Sequence, residues 1–280
     1  MKKILVTGAG GFVGARILQQ WTGQYAFCTF PKGFLAAVEE SAVRQFILQE
    51  KPDAILHTAA LSDTGYCAKH PAEAWRANVE LPLWIARAAE ETGAKLVAFS
   101  SDQVYAGITR SGPLPENLPL QPANIYGQGK LEMEYRVQDV CADAVLLRAT
   151  WMYDLPGYQL PIRGNLPLNL LRAAQNGEKL RFSAHDYRGV TYVRQAIELL
   201  EPALKLPGGV YNFGSENAEN MVRTAQQFAE ALGVTVAVQE ADWPRNLAMD
   251  CSKLREYGIC FDTTQEGICR CLRDYGLKNI

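Results

Sequence analysis

Along the first hundred residues the apolar positions switch between two spacings. Short, nearly continuous apolar runs at 3–7, 25–30, 54–58 and 95–100 read as strands buried on both faces. Between them, apolar residues recur at helical spacing over 12–21, over a stretch with Ser41 as N-cap that runs to Glu50, and over 71–92. Strand–helix alternation of this kind predicts an α/β fold, a doubly wound parallel sheet with helices on both faces. Such a sheet binds ligands beyond the carboxyl ends of its strands, so functional residues are expected just after strands.

The pattern changes in the second half. Pro113, Pro115, Pro119 and Pro122 mark 108–122 as a loop, and a long helix and a strand at 144–148 follow it. Residues 151–167, rich in Gly, Pro and aromatics, read as a second loop. Helices near 168–176 and 190–204 and a strand at 209–213 come next, then a helix at 220–232, an apolar run at 234–238 and a closing helix near 264–275. The expected organisation is a dinucleotide-binding domain from 1–150 plus about 184–214. A smaller α/β lobe for substrate would come from about 151–183 plus 215–280.

The first strand runs into Gly8-Ala9-Gly10-Gly11-Phe12-Val13-Gly14. Glycines at 8, 11 and 14 have the spacing GxxGxxG; the alternative GxGxxG fails because position 13 is Val. Glycine permits the tight turn and lets backbone N–H groups approach a pyrophosphate at a helix N-terminus. Set between a strand and a helix, this turn points to a Rossmann-type dinucleotide site. The second strand ends in Cys28-Thr29-Phe30-Pro31-Lys32, without the acidic residue that usually meets the ribose hydroxyls of NAD. Lys32 there suits a 2′-phosphate or is simply solvated, so NADPH is the expected cofactor, with NADH as the alternative.

Tyr126 and Lys130 lie four residues apart on one helix face. A nearby ammonium would favour the phenolate of a tyrosine whose ordinary pKa is near ~10. Gly127 and Gly129 between them each cost a helix interior about 1 kcal/mol relative to Ala, so something is expected to approach that backbone closely. A hydroxyl at the strand end Ser100-Ser101-Asp102, that of Ser101, could polarise a substrate carbonyl while Tyr126 delivers a proton.

Composition narrows the partners. The 280 residues are 48% hydrophobic and 21% charged with a net charge of −2, so no basic field favours nucleic acid. Seven scattered cysteines suit free thiols in a reducing compartment, and Cys251/Cys260 and Cys269/Cys271 lack the spacing of a zinc site; no metal is expected. No apolar run reaches the ~18–20 residues of a membrane helix, and a cytoplasmic protein is expected. His185, beside Asp186, reads as a packed or solvent histidine.

Taken together, Thr7 to Gly14, His57-Thr58-Ala59-Ala60, Asn78, Ser100 to Tyr105, Tyr126 to Lys130 and Leu147-Arg148-Ala149-Thr150-Trp151 make the chain resemble the extended short-chain dehydrogenase/reductase family. Within it the likeness is to the dTDP-4-dehydrorhamnose reductases and their relatives, and Trp243 to Asp250 resembles their C-terminal lobe. The resemblance implies an NAD(P)-dependent oxidoreductase that reduces a nucleotide-linked 4-keto sugar. It implies Ser101, Tyr126 and Lys130 as the triad, with Asp102 assisting the proton relay and Lys130 also holding the nicotinamide ribose. Gly8, Gly11, Phe12, Val13, Gly14, Ala59, Ala60 and Ser100 would hold the cofactor, and Asn78 and Trp151 the substrate. Similar dehydratases carry Asp-Glu where this chain has Asp102-Gln103; glutamine cannot be the base, which favours simple reduction. The alternatives are an epimerase that keeps its NAD and a non-catalytic nucleotide-binding regulatory subunit. Self-association as a homodimer stays open. The chain departs from these reductases at Leu61 to Cys67 and at Gly189-Val190-Thr191, which leaves the sugar unassigned.

Overall fold

The computed structural model describes residues 1–34 and 39–277. Its first half follows the expected alternation: β1 (Lys3–Thr7), α1 (Phe12–Gln20), β2 (Ala26–Cys28), α2 (Glu40–Glu50) and β3 (Ala54–His57). Short helices α3 (Thr64–Lys69) and α4 (Pro71–Trp75) lead into α5 (Leu81–Thr92), β4 (Lys95–Ser101), α6 (Ile125–Val140) and β5 (Val145–Ala149). Then come β6 (Trp151–Tyr153), α7 (Leu166–Asn176), β7 (Lys179–Ser183), β8 (Asp186–Arg188), β9 (Val190–Tyr192), α8 (Val193–Ala203) and β10 (Gly209–Phe213). The chain closes with α9 (Met221–Ala231), β11 (Ala237–Ala241), β12 (Arg245–Leu247), α10 (Ser252–Arg255) and α11 (Thr264–Asp274).

Six strands form one parallel sheet in the order β2-β1-β3-β4-β5-β10. The chain steps outward from β1 to β2 and then crosses back to β3 on the other side. This reversal opens a crevice beyond the carboxyl ends of β1 and β3. Both faces are covered. Ile4 and Val6 face Ile17 of α1, Trp21 just after it, and Val193, Ile197 and Leu200 of α8, while Leu5 and Ile55 face α2, α5 and α6 through Val43, Ile47, Ile85 and Met133. Successive side chains of β1 thus feed opposite cores, as the two-residue period of a strand requires. A third core gathers Tyr153, Leu166, Leu170, Met221, Phe228, Ile268 and Leu272 with Val190 and Tyr192. Three two-stranded parallel pairs, β7–β11, β8–β12 and β6–β9, lie outside the large sheet.

Several local expectations are corrected. The stretch read as one helix over 71–92 is interrupted by a π turn at Arg76–Glu80. Pro82, just beyond it, cannot donate to the Asn78 carbonyl, and its ring would clash there; the extra residue in the turn avoids both. The N-cap of α2 is Glu39 rather than Ser41. Residues 151–153, read as loop, and 190–192, read as helix, are instead paired strands whose side chains pack into cores drawn from distant segments. Asn165, Asn220 and Thr263 cap α7, α9 and α11 with side-chain acceptors. Among the described residues no helix is long and apolar enough to cross a membrane.

Candidate active site

A cavity of about 910 Å³ opens beyond β1, β3 and β4 and is walled on its far side by residues of β6, β8 and β12. The glycine turn forms one end. Gly8 has φ 68°, and a Cβ there would come within 2.9 Å of the Ala59 nitrogen; on Gly14 it would meet the Gly8 carbonyl oxygen at 2.3 Å. Gly10 has open space around it, so the constraint falls on positions 8 and 14 as the GxxGxxG spacing requires. The helix behind the turn has Gly11 as N-cap and no side-chain cap. Its first amides, those of Phe12 and Val13 at the cavity wall, are therefore free for an anion.

Ala59 and Ala60 line the neighbouring wall, and a buried relay sets their backbone. The Thr7 hydroxyl accepts from the amides of Thr58 (3.1 Å) and Ala59 (3.2 Å) and lies 2.8 Å from His57 Nδ1. With both acceptor directions used, the Thr7 hydrogen goes to Nδ1, which places the imidazole proton on Nε2. Burial, helped by the Lys130 ammonium, pushes His57 down to about 3, so it stays neutral.

At the other end Ser101, Tyr126 and Lys130 converge, all buried and all on the cavity wall. Asn124 caps α6, its side chain accepting from the Gly127 amide, which fixes Tyr126 in the first turn. The Lys130 ammonium donates to the Phe99 carbonyl (2.9 Å) and sits 5.9 Å from the centre of the Tyr126 ring. Burial pushes Tyr126 up to about 12; a hydrogen bond with Ser101 and the charge of Arg163 only partly oppose it. The ammonium of Lys130 was expected to favour the Tyr126 phenolate; burial is the largest influence on the tyrosine in this structure. Lys130 itself is pushed down to about 8 by burial, against the pull of Glu134 one turn on.

Asp102, expected to assist the proton relay, is paired across the cavity. Arg188 reaches from β8 to pair with it at 2.6 Å, and the Ser101 hydroxyl and the Gln103 side-chain Nε2 donate weakly at 3.3 and 3.4 Å. The ion pair fixes the position of this carboxylate beside Ser101. Ser100 lines the cavity, but its hydroxyl donates to Glu134 (2.5 Å), which Arg148 grips with two nitrogens. Trp151 lines the wall with the Arg188 guanidinium 5.3 Å above its ring.

Two expected residues are not brought in. Asn78 is buried in the π turn, where its amide both accepts from and donates to the Leu61 backbone (3.1 and 2.9 Å). It shapes the loop after β3 and is not on the cavity wall. Lys32 is exposed and does not line the cavity. The close approach inferred from the helix glycines is real at one of them: a Cβ on Gly127 would lie 2.2 Å from the Gln103 carbonyl oxygen, whereas at Gly129 its nearest contacts are 3.7 Å away. The approaching group is the protein's own chain, not a ligand. Sequence reasoning missed Arg163, Arg188 and Arg245 on the wall. Arg188 and Arg245 sit beside segments already singled out, at Gly189 and in the run from Trp243; Arg163 carried no signal.

Residues 1–276 match the family model for the RmlD substrate binding domain. A dTDP-4-dehydrorhamnose reductase of Aggregatibacter actinomycetemcomitans is 26% identical, over 92% of this chain and 94% of that protein. The methionine adenosyltransferase 2 subunit beta of Bos taurus is 27% identical, over 92% and 83%. The crystal structure of a Bacillus anthracis dTDP-4-dehydrorhamnose reductase in complex with NADP superposes with a TM-score of 0.87 at 24% identity, covering 98% of this chain and 99% of that one.

Proposed function

The chain belongs to the RmlD substrate binding domain family, and from that premise we propose that it is an NAD(P)H-dependent reductase of a nucleotide-linked 4-keto sugar. Residues 1–150 with about 184–214 would hold the dinucleotide, and the remaining segments the sugar nucleotide. The observation that carries this reading is the convergence of Ser101, Tyr126 and Lys130 at one end of a cavity whose other end is the uncapped glycine turn. The free amides of Phe12 and Val13, the crowded Gly8 and Gly14 and the nearby Ala59 fit a dinucleotide pyrophosphate. NADPH, or NADH, would supply the hydride when bound.

The chain's own residues do the rest. With its pKa near 12, Tyr126 keeps its proton at neutral pH and can give it to an oxygen that becomes strongly basic as the ketone is reduced. Ser101 is held beside it, its oxygen accepting from the Gln103 amide at 3.2 Å, and polarises the carbonyl. Lys130, mostly charged at neutral pH, stabilises the phenolate left behind and orients a ribose hydroxyl. The Asp102–Arg188 pair fixes the far wall, with Trp151 as a platform for the sugar. Gln103 cannot act as a carboxylate base, which supports reduction rather than dehydration.

Turnover is tested by NADPH or NADH oxidation against nucleotide 4-keto sugars. Tyr126→Phe should lower kcat by orders of magnitude while cofactor affinity stays within about twofold; near-normal turnover refutes the mechanism. The likeness to a subunit of methionine adenosyltransferase 2 favours a second reading, a non-catalytic nucleotide-binding subunit. No turnover on any keto sugar, with tight association to a partner protein, would establish that one instead. Cofactor that co-purifies and is never consumed would point to an epimerase. The proposal places the chain in the cytoplasm and admits a homodimer, which sedimentation would measure.

A further inference from the structure

Three guanidiniums face the cavity, and they differ in what holds them. Arg188 is paired with Asp102, and Arg245 with Asp186 through two nitrogens. Arg163 has no carboxylate partner among the described residues. Its Nη1 donates to the neutral Ser62 hydroxyl at 3.0 Å, and its guanidinium lies 5.2 Å from the centre of the Phe12 ring. Phe12 opens α1 directly after the glycine turn, and Ser62 follows the Ala59-Ala60 wall. Arg163 therefore bridges the two edges of the dinucleotide cradle with an unneutralised charge.

The loop that carries it is tied to the same helix. Arg16, fully buried on α1, pairs with Asp154 (2.7 Å) at the start of the loop and donates to the Pro161 carbonyl (2.9 Å) near its end. Asn165 then holds the carbonyls of Asp154 and Arg163 (3.0 and 3.2 Å). The backbone beneath Arg163 is thus fixed relative to the N-terminus of α1, while its side chain sits at the exposed rim.

Building on the dinucleotide reading above, we propose that Arg163 is a pyrophosphate clasp. It covers the outer oxygens of the bound cofactor's pyrophosphate, opposite the amides of Phe12 and Val13. A planar guanidinium can meet two phosphate oxygens at once, and an unpaired one gives up no protein ion pair to do so. The Ser62 contact is the weaker, neutral bond exchanged for it.

Binding is measured by titrating the full chain with NADPH, NADH and dTDP. Arg163→Ala should weaken the cofactor that the wild type binds at least tenfold and flatten the dependence of log Kd on log salt. Arg163→Lys should recover part of the loss, and Ser62→Ala should stay within twofold of the wild type. The dTDP affinity should move less than twofold in all three variants. Cofactor affinity unchanged in Arg163→Ala overturns the clasp, as does a loss in Ser62→Ala as large as that in Arg163→Ala, which would make the contact structural. A loss confined to dTDP also overturns it and assigns Arg163 to the substrate's pyrophosphate instead. A wild type that binds neither NADPH nor NADH refutes the dinucleotide reading itself, and the clasp with it.

Discussion

Replacing each of the two glycines in the first turns of α6 by alanine separates a packing constraint from a helix-propensity cost. In both Gly127→Ala and Gly129→Ala the helix gains about 1 kcal/mol of propensity, and that gain cancels when the variants are compared with each other. What remains is the space. At position 127 the new methyl would sit 2.2 Å from the Gln103 carbonyl oxygen and 2.9 Å from Pro122 Cβ; at 129 its nearest contacts, Asn78 and Val79, are 3.7 Å away. The first is well inside the ~3.5 Å of an ordinary contact with rigid backbone, and relieving such overpacking costs about 1–3 kcal/mol. Gly127→Ala should therefore be less stable than Gly129→Ala by about 1–3 kcal/mol in urea unfolding at unchanged m-value, with its Tm lower by several degrees. The displaced carbonyl belongs to the turn after Ser101 and Asp102, so kcat should fall in Gly127→Ala and hold in Gly129→Ala. Equal stability of the two variants, within about 0.5 kcal/mol, would refute the reasoning.

Two further perturbations test the buried polar groups. Burial holds His57 down at about 3, so the folded chain refuses a proton that the unfolded chain takes below about 6.5; the stability contributed is complete above that pH and is lost as pH falls toward 3. Unfolding free energies of the wild type should drop by about 2 kcal/mol more than those of His57→Asn between pH 7.5 and 5, and parallel pH profiles would rule this out. Arg148→Met strands the buried Glu134 carboxylate and should cost about 3–5 kcal/mol, much of which Glu134→Leu added in the same chain should restore. Strictly additive losses in the double variant, measured by urea unfolding, would show that the two residues do not act as a pair.

The elements legible in the sequence were those whose signal is local. The apolar runs of β1, β3, β4 and β5 and the glycine turn each carry their own period and turn chemistry, and the structure reproduces them to within a residue or two. The short strands β6, β7, β8, β9 and β12 were missed for the opposite reason. Trp151–Tyr153 and Val190–Tyr192, for example, pair with each other and pack into a core drawn from distant helices, and nothing within either segment distinguishes it from a loop or a helix start. Asn78 shows the same limit at the site: the resemblance implied a substrate contact, yet its amide both accepts from and donates to the backbone of Leu61, on a loop 17 residues earlier.

The sequence by itself determined the chemistry offered: a helix start stripped of side-chain caps, a hydroxyl at a strand end, and Tyr126 and Lys130 on one helix face. Those follow from spacing alone, because helices and strands have fixed periods. Only the tertiary structure decided how those groups are charged and enclosed. Burial is the largest influence on Tyr126; Arg188 crosses 86 positions to hold Asp102, Arg16 crosses 138 to Asp154, and Arg163 crosses 101 to Ser62. Desolvation and charge pairing depend on which distant segments meet, and no local pattern carries that information.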